Sequence, residues 1–188
     1  VFVTDHFLNG NTTVPHDAPW PERVELFFQG YDVAAQEGAK IGLDVFCGWE
    51  YSYGWAHFLT YGLGKEWLLA NPDLLKWDLL NYLDRVHEDG GSIVHAHPFR
   101  EGVEIVKLVP AKVDAVETVS AGRSDESNRH AFDFATSFNL PQTAGSDIHQ
   151  VGQKRLCGVV SSRRLCDARD YVAAIKSGEA VLFDDEQQ

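Results

Sequence analysis

The sequence predicts an α/β protein with a mostly parallel sheet. Two observations carry this. Short apolar runs of strand length alternate with longer segments of helical periodicity along the 188 residues. Metal-type side chains also gather at the ends of those runs, which form the functional face of parallel α/β folds. A barrel and a doubly wound sheet both fit this order.

The elements follow in sequence. Residues 1–4 read as a short buried strand, because Val1-Phe2-Val3 implies cover on both faces. Asn9-Gly10-Asn11, Pro15 and Pro19 make residues 9–20 turn-rich. A helix is expected from about Pro21, with Val24, Phe27, Phe28, Tyr31, Ala34 and Ala35 on one face. Residues 43–47 form the next strand, ending in Gly48-Trp49-Glu50, and residues 57–61 complete a hairpin. Asn71-Pro72 reads as a helix start; Leu75, Leu79, Leu83 and Val86 stripe that helix and Gly90-Gly91 stop it. Strands are expected at 92–96, 115–119, 142–146, 157–160 and 180–183. Helices are expected around Ala131, Phe134, Ala135 and Phe138, and over about 167–177. No internal repeat, low-complexity stretch or linker breaks the chain, so one domain over 1–188 is expected.

Composition narrows the function. Net charge is −12, the pI is near 5.0 and no Lys/Arg run is present, which excludes a general nucleic-acid binder. An excess of carboxylates suits a protein that collects cations. No apolar stretch is long enough for a membrane span. Cys47, Cys157 and Cys166 show no CxxC or zinc-ribbon spacing and read as buried thiols in a reducing, cytoplasmic compartment. The chain has no Met and opens inside an apolar run, so a further N-terminal βα unit is expected upstream.

Asp5-His6 ends the first strand and Glu50 the second. His57 begins the third, His97 ends the fourth, and Asp147 and His149 end the strand after Leu140. Residues i and i+2 of a strand share a face, which would bring Asp147 with His149 and His95 with His97. Imidazole mixed with carboxylate suits zinc, manganese or iron rather than calcium.

Thr4-Asp5-His6, Gly48-Trp49-Glu50, Ala96-His97-Pro98 and Gly145-Ser146-Asp147-Ile148-His149 together resemble four ordered motifs of the polymerase and histidinol phosphatase (PHP) family. His57-Phe58-Leu59-Thr60-Tyr61-Gly62 is similar to that family's hairpin strand. The resemblance covers residues 1 to about 160. It implies a distorted seven-stranded (βα) barrel of TIM-like type and up to three divalent metal ions (Zn, Mn or Fe) that hydrolyse a phosphoester. Carried over, Glu50 bridges two metals, His57 and His97 complete one of these sites, Asp147 binds the other, and His6 and His149 hold the third. The family's opening His-x-His strand has no counterpart here and is expected in the missing βα unit.

The remaining polar residues divide between site and scaffold. Asp5 is expected to orient a ligand His, and Glu117, near a strand end, could do the same. His95 reads as a core histidine. His87 suits the negative end of a helix, and His16 and His130 read as loop and helix-surface residues. Arg100 and Arg123 follow strand ends, where guanidinium forks could bind phosphate or simply form ion pairs. Trp49, Tyr51, Tyr53 and Trp55 read as core packing, or as an aromatic rim for a substrate.

These observations predict a metal-dependent phosphoesterase in which a metal-activated hydroxide attacks phosphorus, with Glu50, Asp147 and His149 as catalytic residues. Only about ten residues separate Gly62 from Pro72, which favours an open site and a small phosphorylated substrate. Two rival readings are a non-catalytic metal-binding PHP module and a metallohydrolase acting on another bond.

Overall fold

The computed structural model describes residues 1–187 and has a mixed α/β fold. Its main elements are β1 (Phe2–Val3), α1 (Trp20–Ile41), β2 (Phe46–Tyr53), β3 (Ala56–Tyr61), α2 (Lys65–Ala70), α3 (Leu79–Glu88) and β4 (Ser92–Ala96). They continue with β5 (Ala115–Ser120), α4 (Asp125–Ser137), β6 (Gln142–Gly145), β7 (Cys157–Val160), α5 (Ala168–Lys176) and β8 (Val181–Asp184). Strand neighbours follow chain order from β1 to β6 in a six-stranded sheet. In place of a seventh strand, β7 and β8 pair antiparallel with each other in a separate ladder, with Cys157 opposite Asp184.

The chain divides into two compact units. One comprises Val1–Gly54 and Phe58–Ile93. There β1 pairs parallel with β2, placing Val3 opposite Cys47. Pro21 in its first turn sets the start of α1, and Gly42 ends it at φ 73°, a left-handed conformation that glycine adopts without strain. Val24, Phe27 and Phe28 form the buried stripe of α1, while Tyr31, Ala34 and Ala35 are half-buried. The core is aromatic. Phe7 lies edge-on to Phe27 at 5.3 Å, and Tyr51 stacks on Tyr82 at 3.6 Å. The Tyr82 hydroxyl accepts from Trp49 Nε1 at 2.7 Å and bonds Thr60 Oγ1 at 2.6 Å.

Asn71 closes a helix rather than opening one. Its N–H donates to Leu68 O and its Nδ2 to Trp67 O, and the 3₁₀ turn that follows starts after Asp73 with no side-chain cap. The cap of α3 is Asp78, whose Oδ1 accepts from Asn81 N at 2.9 Å. Leu75 therefore lies outside α3, in a single 3₁₀ turn that buries Leu74. The stripe Leu79, Leu83 and Val86 stands as expected, joined by Tyr82.

The other unit comprises Trp55–His57 and Val94–Gln188. Here β4, β5 and β6 run parallel, with His95 opposite Val116 and Glu117 opposite Thr143. The β5–β6 register shifts between Glu117 and Val119, a bulge in the strand. Ser124 caps α4 and Asp167 caps α5 through side-chain oxygens. Tyr171 of α5 bonds Thr143 Oγ1 at 2.7 Å.

Candidate metal centre

The first pair of candidate ligands is placed by backbone pairing. Beyond β1 the parallel register continues as a bridge between His6 and Glu50. Glu50 N–H donates to Asp5 O at 3.0 Å and Phe7 N–H to Glu50 O at 2.8 Å. His6 Nδ1 therefore lies 2.5 Å from Glu50 Oε2. Glu50 does not end its strand as expected; β2 runs three residues further, and Glu50 is 6% exposed in its middle. The chain then turns at Gly54, φ 61°, and returns His57 along β3. One donor atom from each of His6, Glu50 and His57 lies within 4.8 Å of the others.

His57 is buried, and its ring centroid lies 5.2 Å from that of His97. Arg100 Nη1 is 3.2 and 3.3 Å from the two ring nitrogens of His57, and its Nε donates to Glu101. His97 stands just past β4 at φ 25°, in a region that side chains other than glycine seldom enter. Its backbone N–H donates to Glu117 Oε2 at 2.9 Å. His95 is fully buried within β4. Burial pushes its pKa down to about 3, with the neighbouring His97 and His57 acting the same way, so it is neutral at physiological pH.

Asp147 has the same backbone peculiarity, φ 46°, two residues past β6. Its Oδ2 accepts from Arg123 Nη2 at 2.5 Å. His149 is exposed, and its Nδ1 donates to Asp147 O at 3.0 Å. The strand-alternation argument for His95 with His97, and for Asp147 with His149, therefore does not hold. His97, Asp147 and His149 all lie outside strands, and local backbone turns aim them.

Other expectations resolve plainly. One oxygen of the Asp5 carboxylate lies against Gly30 of α1. Trp49 and Tyr51 are core, Tyr53 is half-buried and Trp55 is exposed at 63%. His87 and His130 are half-buried and His16 is exposed. Burial pushes the Cys47 thiol up to about 12 and Cys157 up to about 11, which suits inert thiols. Cys47 is half-buried and Cys166 exposed, contrary to the expectation of three buried thiols; Cys166 precedes the α5 cap in a surface loop.

No protein-family model and no curated protein matches the chain. Solved structures do. A two-domain protein from Bacteroides vulgatus ATCC 8482 containing a predicted PHP-like metal-dependent phosphoesterase superposes with a TM-score of 0.66 at 14% identity. The match takes in 97% of this chain and 55% of that one. The fold is PHP-like. A candidate metal-dependent phosphoesterase from Bifidobacterium adolescentis ATCC 15703 shares the PHP-like fold at TM-score 0.50 and 15% identity, over 93% of this chain and 94% of that one. PsfC from Pseudomonas syringae PB-5123 matches at TM-score 0.54 and 24% identity, over 76% of this chain and 60% of its own. The chain thus spans little more than half the length of the Bacteroides and Pseudomonas proteins. Among the described residues, no helix is long and apolar enough to cross a membrane.

Proposed function

We propose that the chain is a metal-dependent phosphoesterase that hydrolyses a small phosphorylated substrate. The observation that carries this reading is the grouping of His6, Glu50 and His57 in a PHP-like fold. Two imidazoles and one carboxylate within 4.8 Å fit a zinc, manganese or iron ion by donor type. The residues that would hold up to three such ions are His6, Glu50, His57, His97, Asp147 and His149. Bound divalent ions supply Lewis-acid polarisation of a phosphoryl oxygen and an acidified water.

The chain's own groups do the rest. Glu50, a buried carboxylate, would offset cationic charge when metal is bound, and its 2.5 Å contact keeps His6 in one orientation. Asp147 adds a second carboxylate, and His149 an exposed imidazole beside it that can hold or release a proton. Arg100 and Arg123 offer guanidinium forks to phosphoryl oxygens, neutralising the charge that develops there. In this reading residues 1–188 act as one metallohydrolase domain, and the free cysteines fit a cytoplasmic setting.

Metal analysis joined to a phosphatase screen tests the proposal. Protein loaded with Mn²⁺ or Zn²⁺ should release phosphate from p-nitrophenyl phosphate, and chelation should stop it. Activity on amide substrates alone would transfer the site to another bond. Metal binding with neither activity would favour a non-catalytic module.

A further inference from the structure

Glu117 is a buried carboxylate at the centre of the β4–β5–β6 sheet, 5% exposed. Removing a carboxylate from water costs several kcal/mol unless directed partners repay it. Its Oε2 accepts from the backbone N–H of His97, the residue held at φ 25°. Its Oε1 rests against Gly145, where a Cβ would collide with that oxygen. Gly145 has an ordinary φ, so it is glycine for space and not for conformation. The bulge that follows Glu117 changes the β5–β6 register by one residue, and bulges of this kind re-aim side chains near functional sites. One carboxylate thus fixes the unusual backbone of His97. The same carboxylate packs against the residue two before Asp147, the other candidate ligand at positive φ.

We propose that Glu117 is a positioning residue of the metal centre, acting through the His97 N–H and the Gly145 notch and not as a ligand itself. The proposal rests on the reading of His97 and Asp147 as metal ligands. Without the carboxylate, His97 loses the acceptor that holds its backbone in the left-handed region, and its ring is free to leave the ligand position. Loss of such an outer partner typically weakens metal binding by about 10–100-fold.

Titration of the full chain with Mn²⁺ by calorimetry tests this, together with the His97 amide signal of the metal-free protein by NMR. Glu117→Ala should weaken Mn²⁺ binding about tenfold or more and shift the His97 amide signal. Glu117→Gln keeps an acceptor oxygen of the same reach and should stay within about threefold of the parent, with the amide signal near its place. Gly145→Ala leaves Glu117 chemically intact but displaces it, and should weaken binding in the same direction as Glu117→Ala. If Glu117→Ala fails to melt cooperatively, the Gln and Gly145→Ala variants decide the question. Parental affinity in Glu117→Ala and in Gly145→Ala, with His97→Ala still losing metal, would overturn the positioning role and leave the metal reading intact. A loss in Glu117→Gln as large as in Glu117→Ala would overturn it too, since charge rather than the hydrogen bond would then matter. Absence of Mn²⁺ binding in the parent and unchanged binding in His97→Ala would each remove the ligand reading and the positioning role together.

Discussion

The candidate ligands His6 and Glu50 of one unit and His97 and Asp147 of the other are set by different means. His6 and Glu50 owe their meeting to a regular parallel register, extended by one bridge beyond β1. His97 and Asp147 have left their strands and sit at φ 25° and 46°. Among the described residues they account for two of the three non-glycine positions at positive φ, the third being Asn139 past α4. A ladder places side chains with little strain, because hydrogen bonding and side-chain direction agree. A left-handed turn costs on the order of 1–3 kcal/mol and must be held by its surroundings. For His97 the Glu117 carboxylate accepts from the backbone N–H itself, whereas at Asp147 the Arg123 guanidinium grips the side chain. The backbone of a ligand on a ladder is therefore placed by the ladder itself, whereas that of a ligand on a turn depends on its surroundings.

The largest effect should come from removing the ligands themselves. Asp147→Ala and His97→Ala should each lower phosphatase turnover by about a thousandfold or more, which is several kcal/mol of barrier. Their melting curves should stay cooperative, since both residues lie outside the strands, although His97 is itself buried. Near-normal turnover in either variant with metal present would break the ligand assignment. Within the ladder pair and its hairpin partner, Glu50→Gln should lose more metal than His57→Ala. Glu50 alone brings negative charge to that grouping, and metal counting on both variants checks the order. Equal losses would sink the bridging role.

A smaller effect separates stability from activity. Tyr82→Phe removes the hydroxyl that Trp49 Nε1 and Thr60 Oγ1 share, in a region with no exposed surface. Leaving those groups unpaired should cost about 2 kcal/mol, or a melting temperature lower by about 4–8 °C. Turnover per folded molecule should hold, because the aromatic core carries no candidate ligand. A large fall in turnover at full folding would show that the ladder region depends on its aromatic packing for activity.

The same contrast governs what the sequence discloses. Ladder features are written in local pattern. The strands at 92–96 and 157–160 have the expected bounds, and the α3 stripe survives an incorrect start. Asn71-Pro72 misled because Asn71 ends α2, with its N–H on Leu68 O and its Nδ2 on Trp67 O, a role invisible in the dipeptide. His97 and Asp147 were legible as residue types at element ends, yet nothing local announces positive φ at a His before Pro or an Asp before Ile. The i, i+2 argument failed for that reason. Glu117 was legible as a charged residue inside an apolar strand. Its hold on His97, 20 residues away, and the notch at Gly145 arise only when three parallel strands come together. Among the described residues no seventh strand joins the main sheet, and β7 and β8 pair with each other in a separate ladder.

The mildest prediction sharpens the comparison from the β7–β8 ladder, where a charge pair rather than an aromatic core does the holding. Arg155 donates to both Asp184 oxygens, from Nε at 3.1 Å and Nη2 at 2.7 Å, and Asp184 is buried. The Arg155 hydrogen bonds hold the Asp184 carboxyl below its usual pKa, outweighing the opposing effect of burial. A depressed carboxylate pKa means that the unfolded chain takes up the proton first as pH falls. The stabilisation is therefore complete above the ordinary Asp pKa of about 4 and is lost progressively as pH falls through it toward the folded value. Asp184→Asn keeps the shape but not the charge, and should lower the melting temperature at pH 7 by about 2–4 °C, equivalent to about 1 kcal/mol. The gap between parent and variant should narrow as pH is lowered from 5 to 3 in thermal melts at fixed ionic strength. A gap that stays constant over that range would show that Asp184 acts by shape alone.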